Sequence, residues 1–155
     1  MMNKWITINN KNRFSQLRRV GDLQSYGIPL VSLFYDIKEK LLYLALSVYK
    51  RENTSSILFI VVNKMDIISY MNEEIGLRDF ILQYKYDICF LMNKKVSNGQ
   101  IIWYKSDSIP SEIIPDEEEF FEDGVVYYGC TTVGKRGYYV ITIKEEGYEI
   151  ERCDF

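Results

Sequence analysis

The chain has 155 residues, of which 47% are hydrophobic and 15% aromatic, so it carries ample material for a packed core and is not a disordered polymer. Its net charge of −3 argues against a protein that coats nucleic acid through a basic excess. It has no histidine, which removes the usual Ser–His, Cys–His and zinc–histidine chemistry. We expect a single domain over residues 1–155, with 1–105 and 106–155 as alternative sub-lobes.

The cysteines and the apolar runs predict a reduced, cytoplasmic protein. Cys89, Cys130 and Cys153 are odd in number and form no C-x-x-C pair, so we expect neither a zinc site nor a disulfide framework. Cys89 lies in the apolar run 88–92 and is predicted to be in the core. The start of the chain lacks the apolar region of a signal peptide, and the longest apolar runs are far shorter than a membrane helix of about 20 residues. We expect no membrane contact and no cofactor.

The first third of the chain is dominated by strand patterns. A short strand is predicted around residues 5–8, and the amphipathic stretch 13–19 fits either a short helix or an irregular lead-in. Three apolar, β-favouring runs follow, joined by short polar stretches, which is typical of an antiparallel meander. These runs are 30–35, 41–49 and 57–62, and the polar connections are 36–40 and 50–55.

The hydrophobic period then changes to that of helices. Asn63 is a predicted helix cap, with Asp66 in the first turn, where its charge matches the helix dipole. Gly76 marks a helix end or a junction between two helices. The clearest helical face in the chain follows at i, i+3, i+4 and i+7: Leu77, Phe80, Ile81 and Tyr84. Two short helices are therefore predicted to cover one face of the meander.

The remaining residues return to strand patterns. Strands are predicted at 86–92 and 101–105 around a turn at 97–99, followed by an irregular loop over 106–116. Further strands are predicted at 125–130, 138–144 and 148–152. The sequence therefore predicts an α+β fold: an antiparallel β-meander packed by two short helices, with additional C-terminal β-hairpins.

Two patterns leave enzymatic or ligand-binding alternatives open. Carboxylates on the predicted helices, Asp66, Glu73, Glu74 and Asp79, are the candidate ligands of a metal-dependent nuclease or phosphodiesterase, although their spacing predicts no convergence on one ion. Solvated surface acids are the simpler interpretation. The sequence Gly134-Lys135-Arg136-Gly137 would suit an anion-binding turn of a small-ligand sensor, or a plain basic hairpin turn.

The most distinctive local feature is an acidic-aromatic segment, residues 116–123, in which two phenylalanines lie among six acids. Such a segment can dock into a basic groove, with the aromatics as anchors, or it can tuck its phenylalanines into the core. Tyrosines also lie on either side of a predicted hairpin. They are either exposed and suited to protein recognition or paired across the two strands. The candidate partner-binding residues are Glu117, Glu118, Glu119, Phe120, Phe121, Glu122, Asp123, Tyr128 and Tyr138.

Three short stretches resemble an uncharacterised bacterial family of small domains. They are 26–30 (YGIPL), 42–46 (LYLAL) and 75–80 (IGLRDF), against family patterns Y-D-x-P-L-L-F, Y-L-A-L and I-D-L-R-D. The resemblance covers about residues 20–90, and Gly27 and Gly76 stand where the pattern has aspartate. It implies a bacterial origin and a fold of meander plus helices, and it brings no assigned activity.

These features lead us to expect a non-enzymatic protein-interaction domain of a bacterial or phage conflict system. An immunity or antitoxin-like protein, a defence-complex subunit and an inhibitor all fit this class. The expected partner is another protein, such as a basic nucleic-acid-handling one. No direct nucleic-acid contact is expected, and self-association through an exposed strand edge is open.

Overall fold

The computed structural model describes residues 5–8, 14, 17–25, 29–36, 38–51, 53–114, 138–144 and 147–153. Within these ranges the chain forms nine strands and two helices. The strands are β1 (Ile6–Ile8), β2 (Leu17–Ser25), β3 (Pro29–Asp36), β4 (Leu41–Arg51), β5 (Thr54–Val61), β6 (Cys89–Lys95), β7 (Ile101–Ser106), β8 (Tyr138–Lys144) and β9 (Gly147–Cys153). The helices are α1 (Lys64–Met71) and α2 (Leu77–Leu82), and Ser111–Ile113 forms a single 3-10 turn.

Seven strands form one antiparallel sheet in the order β1-β7-β6-β5-β4-β3-β2. Strands β2 to β7 follow one another as a meander, with both helices inserted between β5 and β6, and β1 adds to the free edge of β7. The α+β fold and its helix-covered meander are therefore confirmed. From β3 to β7, each strand pairs with the strand that precedes it in the chain, which is the simplest connection for antiparallel neighbours.

Both faces of the sheet are apolar, because the strands in its centre are hydrophobic at successive positions. In β4, Leu44 packs on the helix-covered face, and the neighbouring residues Tyr43 and Ala45 pack on the other. The second face is rich in aromatic rings: Phe14 stacks on Trp103, with ring centroids 3.8 Å apart. Strands that are buried on both faces are continuous apolar runs in the sequence, and the central strands of this sheet have such sequences.

Local hydrogen bonds and backbone conformations define where the helices begin and end. Asn63 is the N-cap of α1, and its Oδ1 accepts a hydrogen bond from the Met65 N–H at 2.8 Å, as predicted. Past the C-terminus of α1, Glu73 takes a left-handed backbone conformation (φ 61°), and the Glu74 N–H reaches back to the Ser69 carbonyl at 2.9 Å. This is a Schellman-type ending. Gly76 is the N-cap of α2, so the predicted junction is confirmed.

The predicted face of α2 is buried and forms much of the core between helices and sheet. Phe80 and Ile81 are fully buried, and Leu77 and Tyr84 nearly so. Tyr84 lies two residues beyond the end of the helix but continues the same apolar stripe. Burial of such side chains contributes about 1.5–3 kcal/mol each, which outweighs the weak intrinsic stability of a six-residue helix.

Three predicted elements were wrong in detail. In the stretch 13–19, predicted as a short helix or an irregular lead-in, the residues from Leu17 onwards belong to β2, because the pairing of Leu17 with Asp36 outweighs the local amphipathic pattern. The predicted turn 50–55 is shorter, since the ladder continues to the pair Arg51–Thr54. The strand predicted from residue 86 begins only at Cys89, because the turns after α2 run through residue 87.

The C-terminal strands β8 and β9 form a separate two-stranded sheet. They pair from Tyr138–Cys153 to Lys144–Gly147. Strand β8 lies against α1, and β9 lies against β2 and β3. The predicted strand at 125–130 lies outside the described residues.

Within the described ranges, no helix has the length and apolar character that crossing a membrane requires.

Candidate functional site

Four large apolar side chains are exposed at one end of the seven-stranded sheet. Ile6, Met65, Tyr86 and Ile88 retain 63%, 63%, 81% and 48% of their accessible surface. We call this group the apolar end. Single exposed apolar residues are ordinary on a protein surface, whereas several at one place mark a binding surface.

Strand register and the start of α1 place these residues near the same end of the sheet. Cys89 pairs with both Ile60 and Ser106, so β6 begins where β5 and β7 end. Ile88 immediately precedes β6, and Tyr86 lies two residues earlier. On the far side of β7, Ile6 pairs with Lys105. Met65 lies in the first turn of α1, which starts three residues after β5 ends.

A hydrogen-bonded triad holds the backbone around the apolar end. The Tyr84 hydroxyl donates to Oδ2 of Asp66 and accepts from the backbone N–H of Asn63 at 2.9 Å. The start of α1 is thereby fixed to the chain that follows α2. Burial, and then the hydrogen bond to Asp66, raises the pKa of Tyr84 to about 12. The phenol therefore stays neutral near pH 7 and acts as a structural donor.

The buried thiol of Cys89 lies beneath this end of the sheet. Its Sγ lies 3.4 Å from the carbonyl oxygen of Ser108. Burial, and then the negative charge of Asp107, raises the pKa of Cys89 to about 12. A thiol so protonated is a poor nucleophile, since the thiolate is the reactive form. The prediction that Cys89 lies in the core is confirmed.

The four helix-region carboxylates do not converge. Asp66 already accepts the hydrogen bond of Tyr84, whereas Glu73, Glu74 and Asp79 are exposed. Glu74 precedes α2, and Arg78 lies inside it, so the two are not an i, i+4 helix pair. Among the residues that the structure describes, no three His, Cys, Asp or Glu side chains are grouped to hold a metal ion.

Most of the predicted partner-binding residues lie outside the described ranges. This holds for the whole acidic-aromatic segment, for Tyr128 and for the candidate anion-binding turn 134–137. Tyr138 opens β8 and pairs with Cys153.

Sequence reasoning missed all four residues of the apolar end. Tyr86 and Ile88 look like part of the strand that follows, because an apolar run gives no indication of where its pairing begins. In the structure the Nζ of Lys85 lies 5.7 Å from the centre of the Tyr86 ring, a cation–π contact that the sequence alone does not reveal.

Comparisons of the chain with protein-family models, with curated proteins and with solved structures found no match.

Proposed function

We propose that the chain is a cytoplasmic, non-enzymatic protein-binding domain that occludes the working surface of a protein partner. The observation that carries this proposal is the apolar end: Ile6, Met65, Tyr86 and Ile88 are each exposed near the same end of a sheet whose centre is buried on both faces. Large side chains of this kind are the usual anchors of protein interfaces, and tyrosine is among the most frequent.

The chemistry of the partner is proposed from the acidic-aromatic segment. Six acids and two phenylalanines in eight residues complement a basic groove with apolar pockets. A protein that handles nucleic acid offers such a groove, and the acids would take the place of its phosphates. With the bacterial origin that the family resemblance implies, this chemistry supports a role in a bacterial or phage conflict system, as an immunity-like protein, a defence-complex subunit or an inhibitor.

The chain offers a matched pair of variants for testing the apolar end. Tyr86→Ser/Ile88→Ser removes two exposed apolar side chains there, and Val96→Ser/Ile101→Ser removes two at the opposite end of the sheet. With the tagged full chain as bait in host cells, we expect a stoichiometric partner that the first variant loses and the control keeps. Equal loss from both variants, or a bait without a stoichiometric partner, contradicts the proposal.

The acidic-aromatic segment is tested by salt and by truncation. A partner held through the acids is released progressively as ionic strength rises, because exposed charge pairs are screened. Phe120→Ala/Phe121→Ala should weaken partner binding and leave the thermal transition in place. Loss of that transition would instead show that the two phenylalanines belong to the core.

A further inference from the structure

The two edges of the seven-stranded sheet are built differently. β2 forms one edge, and its pairing with β3 shifts register at three points along nine residues. Such irregularities, together with β9 lying against β2, hinder the addition of a further strand. β1 forms the other edge with the sequence Ile-Thr-Ile, which has no charge, no proline and no register shift. Of the two edges, β1 is therefore the one suited to pairing with another strand.

The outer side of β1 is accessible in the folded chain. Within the described ranges, no strand pairs with β1 on the side away from β7. Ile6 retains 63% of its accessible surface, and Thr7 is also exposed. A strand at the edge of a sheet presents backbone N–H and carbonyl groups along its free side. β1 can therefore accept one more strand through main-chain hydrogen bonds.

The sequence of β1 is palindromic, so it complements a second copy of itself. In an antiparallel pair centred on Thr7, this residue lies opposite its own counterpart, and Ile6 lies opposite Ile8 of the second copy. Opposite residues in such a pair point to the same face of the sheet, and pairs of threonines and of β-branched residues stabilise it. A twofold axis through Thr7 makes the two halves of this interface identical.

This pairing also continues an apolar row of the sheet. Ile8 pairs with Trp103, which pairs in turn with Met92, and all three side chains lie on the face opposite the helices. Ile6 of the second copy would extend this row beyond Ile8. The exposed side chain of Ile6 would then pack against apolar neighbours and lose its contact with water.

We propose that β1 pairs with β1 of a second copy, antiparallel about Thr7, to form a symmetric dimer with one continuous sheet. Main-chain hydrogen bonds supply the affinity, and the side-chain pairs set the register. A strand of three residues gives a small interface, so the dimer is weak and its population depends on protein concentration. The inference does not rest on the proposed function: the two surfaces share Ile6, whereas the partner test uses Tyr86 and Ile88.

The test is sedimentation equilibrium of the purified full chain at concentrations from about 10 µM to about 1 mM. We expect the mass to rise from the 18.4 kDa of one chain towards twice that value. Thr7→Glu should stay monomeric, because two carboxylates would lie directly opposite each other at the centre of the pair, and Thr7→Lys should stay monomeric for the same reason. An equimolar mixture of the two variants should dimerise, because each carboxylate would then face an ammonium group.

The matched control is Ser97→Glu, which adds the same charge at the exposed tip of the β6–β7 hairpin. We expect it to dimerise like the wild type. Because Thr7 is exposed, both of its variants should keep the wild-type thermal transition. The proposal is overturned if the wild type stays monomeric up to about 1 mM, which would leave the edge to a different partner. It is also overturned if Thr7→Glu dimerises like Ser97→Glu, or if the mixture of the two Thr7 variants stays monomeric.

Discussion

Replacing Tyr84 by phenylalanine removes one hydroxyl and two hydrogen bonds. The hydroxyl donates to the Asp66 carboxylate and accepts from the Asn63 N–H. A hydrogen bond to a charged group contributes about 1.5–3 kcal/mol, and Asp66 is half-buried, so water replaces the donor incompletely. We expect the free energy of unfolding to fall by about 2 kcal/mol, or roughly 4–8 °C in the melting temperature of a domain of this size.

Tyr86→Phe is the matched control for this substitution. Tyr86 lies two residues later, and its side chain is among the most exposed, so loss of its hydroxyl should change the stability by less than about 0.5 kcal/mol. Urea unfolding of the wild type and both variants measures the two effects. If Tyr84→Phe and Tyr86→Phe were equally stable, the triad would not hold α1 and the structural argument would be refuted.

The pH dependence of the same variant follows from the raised pKa of Tyr84. The folded state retains the phenolic proton up to about pH 12, whereas the unfolded chain loses it near pH 10. The contribution of the Tyr84 hydroxyl to the free energy of unfolding is therefore fully present below pH 10 and is lost as the pH rises towards 12. The stability difference between wild type and Tyr84→Phe should shrink over that interval. A constant difference from pH 8 to 12 would contradict the assignment.

Three further predictions concern local features. Glu73→Gly should raise the stability by about 0.5–1 kcal/mol in urea unfolding, because glycine adopts the left-handed conformation without strain, whereas Glu73→Ala should give no such gain. Asn63→Ala should lower the stability by about 1 kcal/mol in the same assay through loss of the α1 cap, and an unchanged midpoint would refute that role. Cys89 should resist iodoacetamide in the folded protein and react once unfolded, as read from its peptide by mass spectrometry; rapid reaction in the native state would contradict its burial and raised pKa.

Local signals in the sequence were sufficient to predict the helical part of the fold. Asn63 caps α1 because its short side chain reaches the N–H two residues on. The apolar residues from Leu77 to Tyr84 are spaced i, i+3, i+4 and i+7 and therefore form one face of a helix. That face is buried in the structure. The strands from β3 to β5 were predictable for a similar reason, since polar residues separate their apolar runs.

The ends of the strands, and pairs between residues that are distant in sequence, could not be predicted from local signals. Leu17 begins β2 because it pairs with Asp36, a contact that the pattern around residue 17 does not contain. The left-handed conformation of Glu73 has no signal of its own, since glycine or asparagine is usual there. Local propensity yields to tertiary pairing at such positions.

The apolar end was hidden from the sequence because strand pairing, which the local pattern does not contain, brings distant residues to one end of the sheet. Ile6 and Tyr86 reach the same end of the sheet because β1, near the start of the chain, pairs with β7, the last strand of the meander. Composition gives the total charge and apolar content of the chain. Strand register decides where on the surface the charged and apolar residues lie.

The central claim is that the apolar end binds a protein partner, and the affinity of that complex is its most direct test. With the captured partner purified, calorimetric titration compares the wild type with Tyr86→Ser/Ile88→Ser and with the control Val96→Ser/Ile101→Ser. Truncation of interface anchors costs more than about 1 kcal/mol each, so the first variant should bind at least roughly tenfold more weakly, while the control binds like the wild type. Wild-type affinity in Tyr86→Ser/Ile88→Ser would contradict the account.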